Sequence, residues 1–221
     1  MKMLLLVIVS SIYLFSQQDW INYNIEDYIS INLPTEPIVF DTLGTTTISS
    51  ETDSYIILIT KMNNNSKVNA KISSEDELNK FYEGVVNGYL KSTKGELVDK
   101  NLSKIANLRS VSYSIRLTRG DENRLYFIHS IFIEDCMYTF QFLQLEIDDE
   151  ELKETRDIFF NSINISKSLN LQDQFTAYEE VSSYKLGYFV GQIFFYLILI
   201  SIPIIFIIRR KRKKHLTSGS S

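Results

Sequence analysis

Residues 188–208 most limit the structures that this chain can adopt, because these 21 residues carry no formal charge. As an α helix, a run of this length extends about 31 Å, which matches the roughly 30 Å hydrocarbon core of a bilayer. Six consecutive cations follow it: Arg209, Arg210, Lys211, Arg212, Lys213 and Lys214. Cations that flank a span mark its cytoplasmic side, and near a membrane surface they also attract anionic lipid. The sequence therefore predicts one transmembrane helix over residues 188–208 and a basic cytoplasmic tail over residues 209–221.

The N terminus has the pattern of a secretory signal peptide. Lys2 precedes an apolar run that ends at Phe15, and Ser16 is followed by polar residues. This run is short for a membrane span. We expect a signal peptide over residues 1–16, with an uncleaved N-terminal anchor as the alternative. Both interpretations place the middle of the chain outside the cytoplasm of a bacterial cell, attached to the inner membrane.

The charged residues of the middle segment exclude one class of partner. All 27 acidic residues lie between Asp19 and Glu180. A nucleic-acid-binding domain needs a basic stripe, so we expect no nucleic acid partner. Cys136 is the only cysteine, so the domain has no internal disulfide and its apolar core must stabilise it.

Alternating and helical patterns predict one α+β domain over residues 17–168. Strands are expected over 28–33, 45–50, 55–60, 109–117, 124–133 and 136–145, with tight turns at 119–123 and 134–135. A helix is expected to begin at Ser74, where Ser74 and Glu77 have capping-box spacing, and Gly95 lies just past its expected end. One apolar stripe at helical spacing is expected on this helix: Leu78, Phe81, Tyr82, Val85 and Tyr89. A last helix is expected from Asp148, with Leu152, Thr155, Phe159 and Ile163 on its buried face.

Residues 169–187 are polar and mixed, without a clear strand pattern. We expect them to form a juxtamembrane tether that is partly helical near Glu179. Within the predicted span, Gly191 is a single small residue and is weak evidence for helix association.

The order of these segments resembles that of a PsbP-like domain over residues 23–168. A strand runs into Leu33-Pro34-Thr35-Glu36-Pro37, and two β segments and the helix from Ser74 follow. Residues 105–113, three hairpin strands and a final helix ending near Ile163 complete the order. The resemblance implies an antiparallel sheet flanked by helices (an α/β/α sandwich). It also implies binding or scaffolding rather than catalysis, and it supplies no active site.

The sequence contains no recognisable catalytic, metal or nucleotide motif, so we expect no cofactor and no metal. His129 is the only histidine outside the basic tail, and Cys136 follows seven residues later across a tight turn. A hydrolase using His129 and Cys136 is therefore one hypothesis, although a structural histidine and a buried thiol account for both residues. A binding module that engages a protein partner at the membrane surface is the first hypothesis, and a small-ligand or lipid-binding domain is another.

Overall fold

The computed structural model describes residues 20–42, 44–63, 71–177, 182–193 and 196. The strands are β1 (Ile21–Glu26), β2 (Ile29–Leu33), β3 (Ile38–Thr42), β4 (Thr45–Glu51), β5 (Tyr55–Asn63), β6 (Lys71–Ile72), β7 (Glu96–Ile105), β8 (Leu108–Arg119), β9 (Glu122–Ile133), β10 (Cys136–Leu145), β11 (Asn164–Ile165) and β12 (Thr176–Ala177). The helices are α1 (Glu75–Thr93), α2 (Asp149–Asn161) and α3 (residues 183–193), and two 3-10 helices cover Glu146–Asp148 and Leu171–Gln174.

A seven-stranded sheet in the order β3-β4-β5-β10-β9-β8-β7 forms the centre of the fold. A three-stranded sheet β1-β2-β11 and a two-stranded pair β12-β6 accompany it, and every pairing is antiparallel. The structure therefore confirms the α+β class and the antiparallel sheet.

The predicted hairpins β8–β9 and β9–β10 are confirmed, and their turns show why. Glu134 and Asp135 both have positive φ, 47° and 61°, as a two-residue type I′ turn requires. Gly120, with φ of 61°, supplies the left-handed residue in the preceding turn. Because these turns fix the register, alternate residues of each strand face opposite sides of the sheet.

Helices cover both faces of the large sheet, and two apolar cores result. The first core lies under α1 and includes every residue of its predicted stripe, each fully buried: Leu78, Phe81, Tyr82, Val85 and Tyr89. The second core lies under α2 and the small sheet; it contains Tyr138, Phe140 and Phe142 of β10, and Phe142 packs against Phe159 of α2. The alternation in each strand thus supplies both layers.

The helix caps differ in part from the expectation. Ser74 caps α1 by accepting a hydrogen bond from the Glu77 amide, but the Glu77 carboxylate accepts from Ser73. Lys94, not Gly95, adopts the left-handed conformation after α1, with φ of 55°. At α2, the N-cap residue Asp148 makes no side-chain capping hydrogen bond.

The described part of residues 169–187 belongs to the folded domain, which corrects the expectation of a tether. Leu169 is buried in the second core, and β12 pairs with β6. Gln174 is fully buried, and α3 begins at residue 183. The polar composition of this segment did not predict its packing on the domain, because several of its polar groups are hydrogen-bonded to the domain.

The predicted signal peptide (1–16) and basic tail (209–221) lie outside the described residues. Of the predicted span, only residues 188–193 and 196 are described, all of them helical. Within the described ranges, no helix has the length and hydropathy that a membrane span requires.

Candidate functional site: a glycine-lined contact between two helices

The strand register does not bring His129 and Cys136 together. On the β9–β10 pair, His129 lies opposite Phe140, whereas Cys136 lies opposite Ile133. The four residues from Cys136 to Phe140 span about 13 Å of strand. A nucleophile and its base need a contact of about 3 Å, so this pair does not form a catalytic dyad in the structure.

His129 is instead part of the packing between the sheet and α2. Its ring stacks on Phe160 with centroids 4.1 Å apart and an interplanar angle of 22°. Burial lowers the pKa of His129 to about 4, because the charged imidazolium would lose its hydration. The ring is therefore neutral at physiological pH and borders an open cleft that Ser112, Arg156 and Asp157 also line.

Cys136 is half-buried, and its thiol lies 3.2 Å from the Asn63 side-chain oxygen. Burial raises the pKa of Cys136, and the nearby Lys61 opposes this only in part. A protonated thiol is a weak nucleophile. Across the described part of the chain, no group of three or more His, Cys, Asp or Glu side chains could hold a metal ion.

Gln174 makes an unusual connection between two neighbouring strands. Its amide nitrogen donates to the carbonyl oxygens of Arg109 and Phe132, each at 2.8 Å, and its carbonyl accepts from the Arg109 amide at 2.7 Å. The β8–β9 ladder begins only at the Val111–Ser130 pair. The Gln174 side chain, with the Tyr82 hydroxyl, thus replaces the ladder hydrogen bonds where β8 and β9 separate.

The closest backbone contact between α1 and α3 is built from four glycines. Gly84 and Gly88 lie four residues apart on α1, and Gly187 and Gly191 have the same spacing on α3. A Cβ on Gly84 would lie 2.7 Å from the Tyr188 amide nitrogen, and one on Gly187 would lie 2.8 Å from the Phe81 carbonyl carbon. Cβ atoms at Gly88 and Gly191 would meet the backbone of Tyr188 and Tyr89 equally closely. Only glycine permits this approach.

Side chains on both sides of the glycines complete the contact. Leu186 and Val190 are 2% and 5% exposed and belong to the first core. At the rim, the Asn87 amide donates to the Tyr184 hydroxyl at 3.2 Å. The beginning of the long apolar run is therefore an integral part of the domain.

This contact was not predicted, although its signal is present in the sequence. Two Gly-x-x-x-Gly spacings occur in the chain, and each places both glycines on one helix face. Gly191 is the only glycine of the predicted span, because Gly187 lies in the segment predicted as a tether. The spacing could identify two close-packing helix faces, but not that they face each other.

No protein-family model and no curated protein sequence matches this chain. Among solved structures, it is similar to the cyanobacterial PsbP protein CyanoP of Synechocystis sp. PCC 6803, with a TM-score of 0.49 and 12% identity over 67% of this chain and 94% of that one. It is also similar to the Ran-binding protein Mog1p of Saccharomyces cerevisiae (TM-score 0.39, 9% identity, 72% of this chain and all of that one). A third is PA94 of Pseudomonas aeruginosa, a protein of unknown function described as a putative regulator (TM-score 0.38, 8% identity, 62% of this chain and 91% of that one). Similarities at these identities and TM-scores carry no argument about function.

Proposed function

We propose that this chain is a single-pass membrane protein whose extracytoplasmic α+β domain is a binding module for a protein partner at the membrane surface. One observation carries the proposal: α3, the last described helix of the domain, already contains the first residues of the uncharged run 188–208, which six cations follow. Because the anchor begins within a few residues of the folded domain, it holds the domain close to the bilayer. The six cations from Arg209 to Lys214 orient the anchor with the C terminus in the cytoplasm.

The element order supports a PsbP-like assignment of the domain. The predicted strand that runs into Leu33 and the helix that begins after Ser74 occur in the expected order. The three hairpin strands and α2 follow them. We infer a PsbP-like domain from this order and from the helix layers on both faces of the sheet, and we transfer no activity with it.

The outer edge of β7 supports partner binding. Among the described strands, β7 pairs only with β8, so it forms one edge of the large sheet. Leu97, Val98 and Leu102 on this strand are 39–48% exposed. An exposed strand edge with apolar side chains can accept an extended segment of a partner through backbone hydrogen bonds. We assign the partner contact to this edge.

Membrane topology provides the first test. With a tag fused after Ser221, protease added to intact spheroplasts should digest the domain and spare the tag. The tag becomes accessible only after the membrane is permeabilised. Loss of the tag together with survival of the domain would show the reverse orientation and overturn the proposal.

Partner binding provides the second test. Replacing Leu97 and Leu102 by lysine should abolish recovery of a protein that is cross-linked to the wild-type domain in membranes. The substitution removes two apolar contacts, and charged lysine side chains on an edge strand disfavour the addition of another strand. Ile147→Lys is the matched control, since Ile147 is an apolar side chain that is 89% exposed at another place. Equal recovery with both variants would exclude β7 as the docking edge.

A further inference from the structure

The docked position of α3 leaves too few apolar residues after the domain to span a typical bilayer. Gly187 lies against Phe81 and Val85, and Gly191 lies against Val85 and Tyr89, so α3 runs in the same direction as α1. Tyr196, five residues after Gly191, is therefore level with the last turn of α1, which ends at Thr93. Twelve apolar or uncharged residues, 197–208, remain before the first cation.

As a helix, twelve residues extend about 18 Å, whereas a typical hydrocarbon core is about 30 Å thick. If α3 stayed on α1 while the run crossed such a bilayer, roughly the last eight residues of α1 would have to enter hydrocarbon to supply the missing 12 Å. Asn87, Lys91 and Lys94 are exposed on this part of the domain. Charged side chains in hydrocarbon are costly, so the docked arrangement opposes a full span.

Resting on the proposed membrane anchor, we propose that the glycine face of α1 is a helix-binding groove that α3 occupies only when the anchor does not fully span the membrane. Gly84 and Gly88 form the floor of the groove, and the occupant is residues 183–193 of this chain. In the spanning form, residues 188–193 transfer to the bilayer and the groove is released. Docking and full insertion therefore compete for the same helical segment.

The groove fits this occupant specifically. The floor of Gly84 and Gly88 has no side chains, so a helix can approach it only with small residues at the same spacing, which Gly187 and Gly191 supply. Leu186 and Val190 fill the apolar space beside the floor. Transfer to the bilayer keeps Val190 in an apolar environment, whereas the backbone contact of the glycines is lost.

A cross-linking experiment on the full-length chain tests this competition. Asn87→Cys and Tyr184→Cys are combined with Cys136→Ser, because the wild-type side chains at 87 and 184 are in contact across the groove. The protein carries a C-terminal tag and is reconstituted in vesicles, and a short bismaleimide is added. Molecules whose tag is protected from protease while the domain is cleaved form the spanning population. We expect the yield of the 87–184 cross-link, measured by mass spectrometry, to be at least ten-fold lower in this population than in the molecules that do not span. Equal yields in both populations would overturn the inference while leaving the anchor proposal intact.

If the tag is accessible on the same side as the domain in every vesicle, the anchor proposal itself fails.

Bilayer thickness adds a second measurement. In vesicles of short-chain lipid, with a hydrocarbon core near 18 Å, the cross-link yield of the spanning population should rise towards that in detergent. Residues 197–208 would then be long enough, as a helix, to cross while α3 stays docked. A yield that does not depend on thickness contradicts the competition.

Blocking the groove gives an independent check. Gly88→Leu places a side chain against the Tyr188 backbone, so we expect it to abolish the cross-link in detergent and to increase the spanning fraction. Glu83→Leu, at an exposed position of the same helix, is the matched control and should leave both unchanged. Circular dichroism of both variants establishes that the sheet is still folded. A Gly88→Leu protein that is folded and still cross-links fully would contradict the groove.

Discussion

At the scale of single residues, Gln174 shows how one side chain can complete a sheet. It joins Arg109 and Phe132 where the ladder between their strands is open. Gln174→Leu removes the side-chain partner of the Arg109 amide and of the Phe132 carbonyl, whereas the Arg109 carbonyl keeps the Tyr82 hydroxyl as a donor. We therefore expect the free energy of unfolding to fall by about 3 kcal/mol. Urea denaturation followed by the fluorescence of Trp20 measures this. Gln172→Leu, exposed in the same 3-10 helix, is the control, and an equal loss in both variants would refute the role of Gln174.

His129 predicts a pH dependence of stability. Its pKa falls to about 4 in the folded protein, whereas it is about 6.5 in an unfolded chain. Between these values the unfolded state binds one more proton, so folding stability decreases as pH falls from about 6.5 to about 4. The decrease amounts to about 3 kcal/mol. His129→Gln should remove this component from urea denaturation curves, and an unchanged pH profile would show that the imidazole does not titrate in this range.

At the scale of secondary-structure elements, the helix pair α1–α3 depends on the absence of side chains. Gly84→Ala and Gly187→Ala each force the two helices apart, and we expect each to lower the unfolding free energy by about 2 kcal/mol. Because either alanine already opens the same contact, the double variant should lose clearly less than the sum. Chemical denaturation of both single variants, the double variant and the exposed control Glu83→Ala measures this. Full additivity would show that the glycines do not share one contact.

At the scale of the whole molecule, the charge distribution predicts the orientation of the chain. The acidic residues end at Glu180, and the cations from Arg209 to Lys214 follow the apolar run. Replacing these six cations by glutamine removes the main retention signal, so we expect a tag after Ser221 to lose its uniform protection from external protease. Replacing Lys100 and Lys104 of β7 by glutamine is the control. An unchanged protection pattern in the six-residue variant would show that the cations do not set topology.

Local pattern by itself predicted the central strands, their hairpin turns and the buried stripe of α1. Each of these depends on residues close in sequence: alternation fixes which side of the sheet each side chain of β10 faces, and Glu134 and Asp135 adopt the left-handed conformation of the turn. The ten-residue strand β7 was missed because it is exposed on both sides for most of its length, so burial imposes no period on it. The sequence also could not fix the distance between His129 and Cys136, because that distance depends on the register of two paired strands.

Tertiary structure alone decided the role of residues 169–177 and 182–193. Gln174 has no apolar signal, and it is buried because its amide satisfies backbone groups more than 40 residues away. The glycines of α3 lie about 100 residues after those of α1. The spacing within each pair indicates a close-packing helix face, but it does not identify the helix that packs against that face. Sequence periodicity reports how an element buries its own surface, whereas the choice of which two surfaces meet depends on the three-dimensional packing of the whole chain.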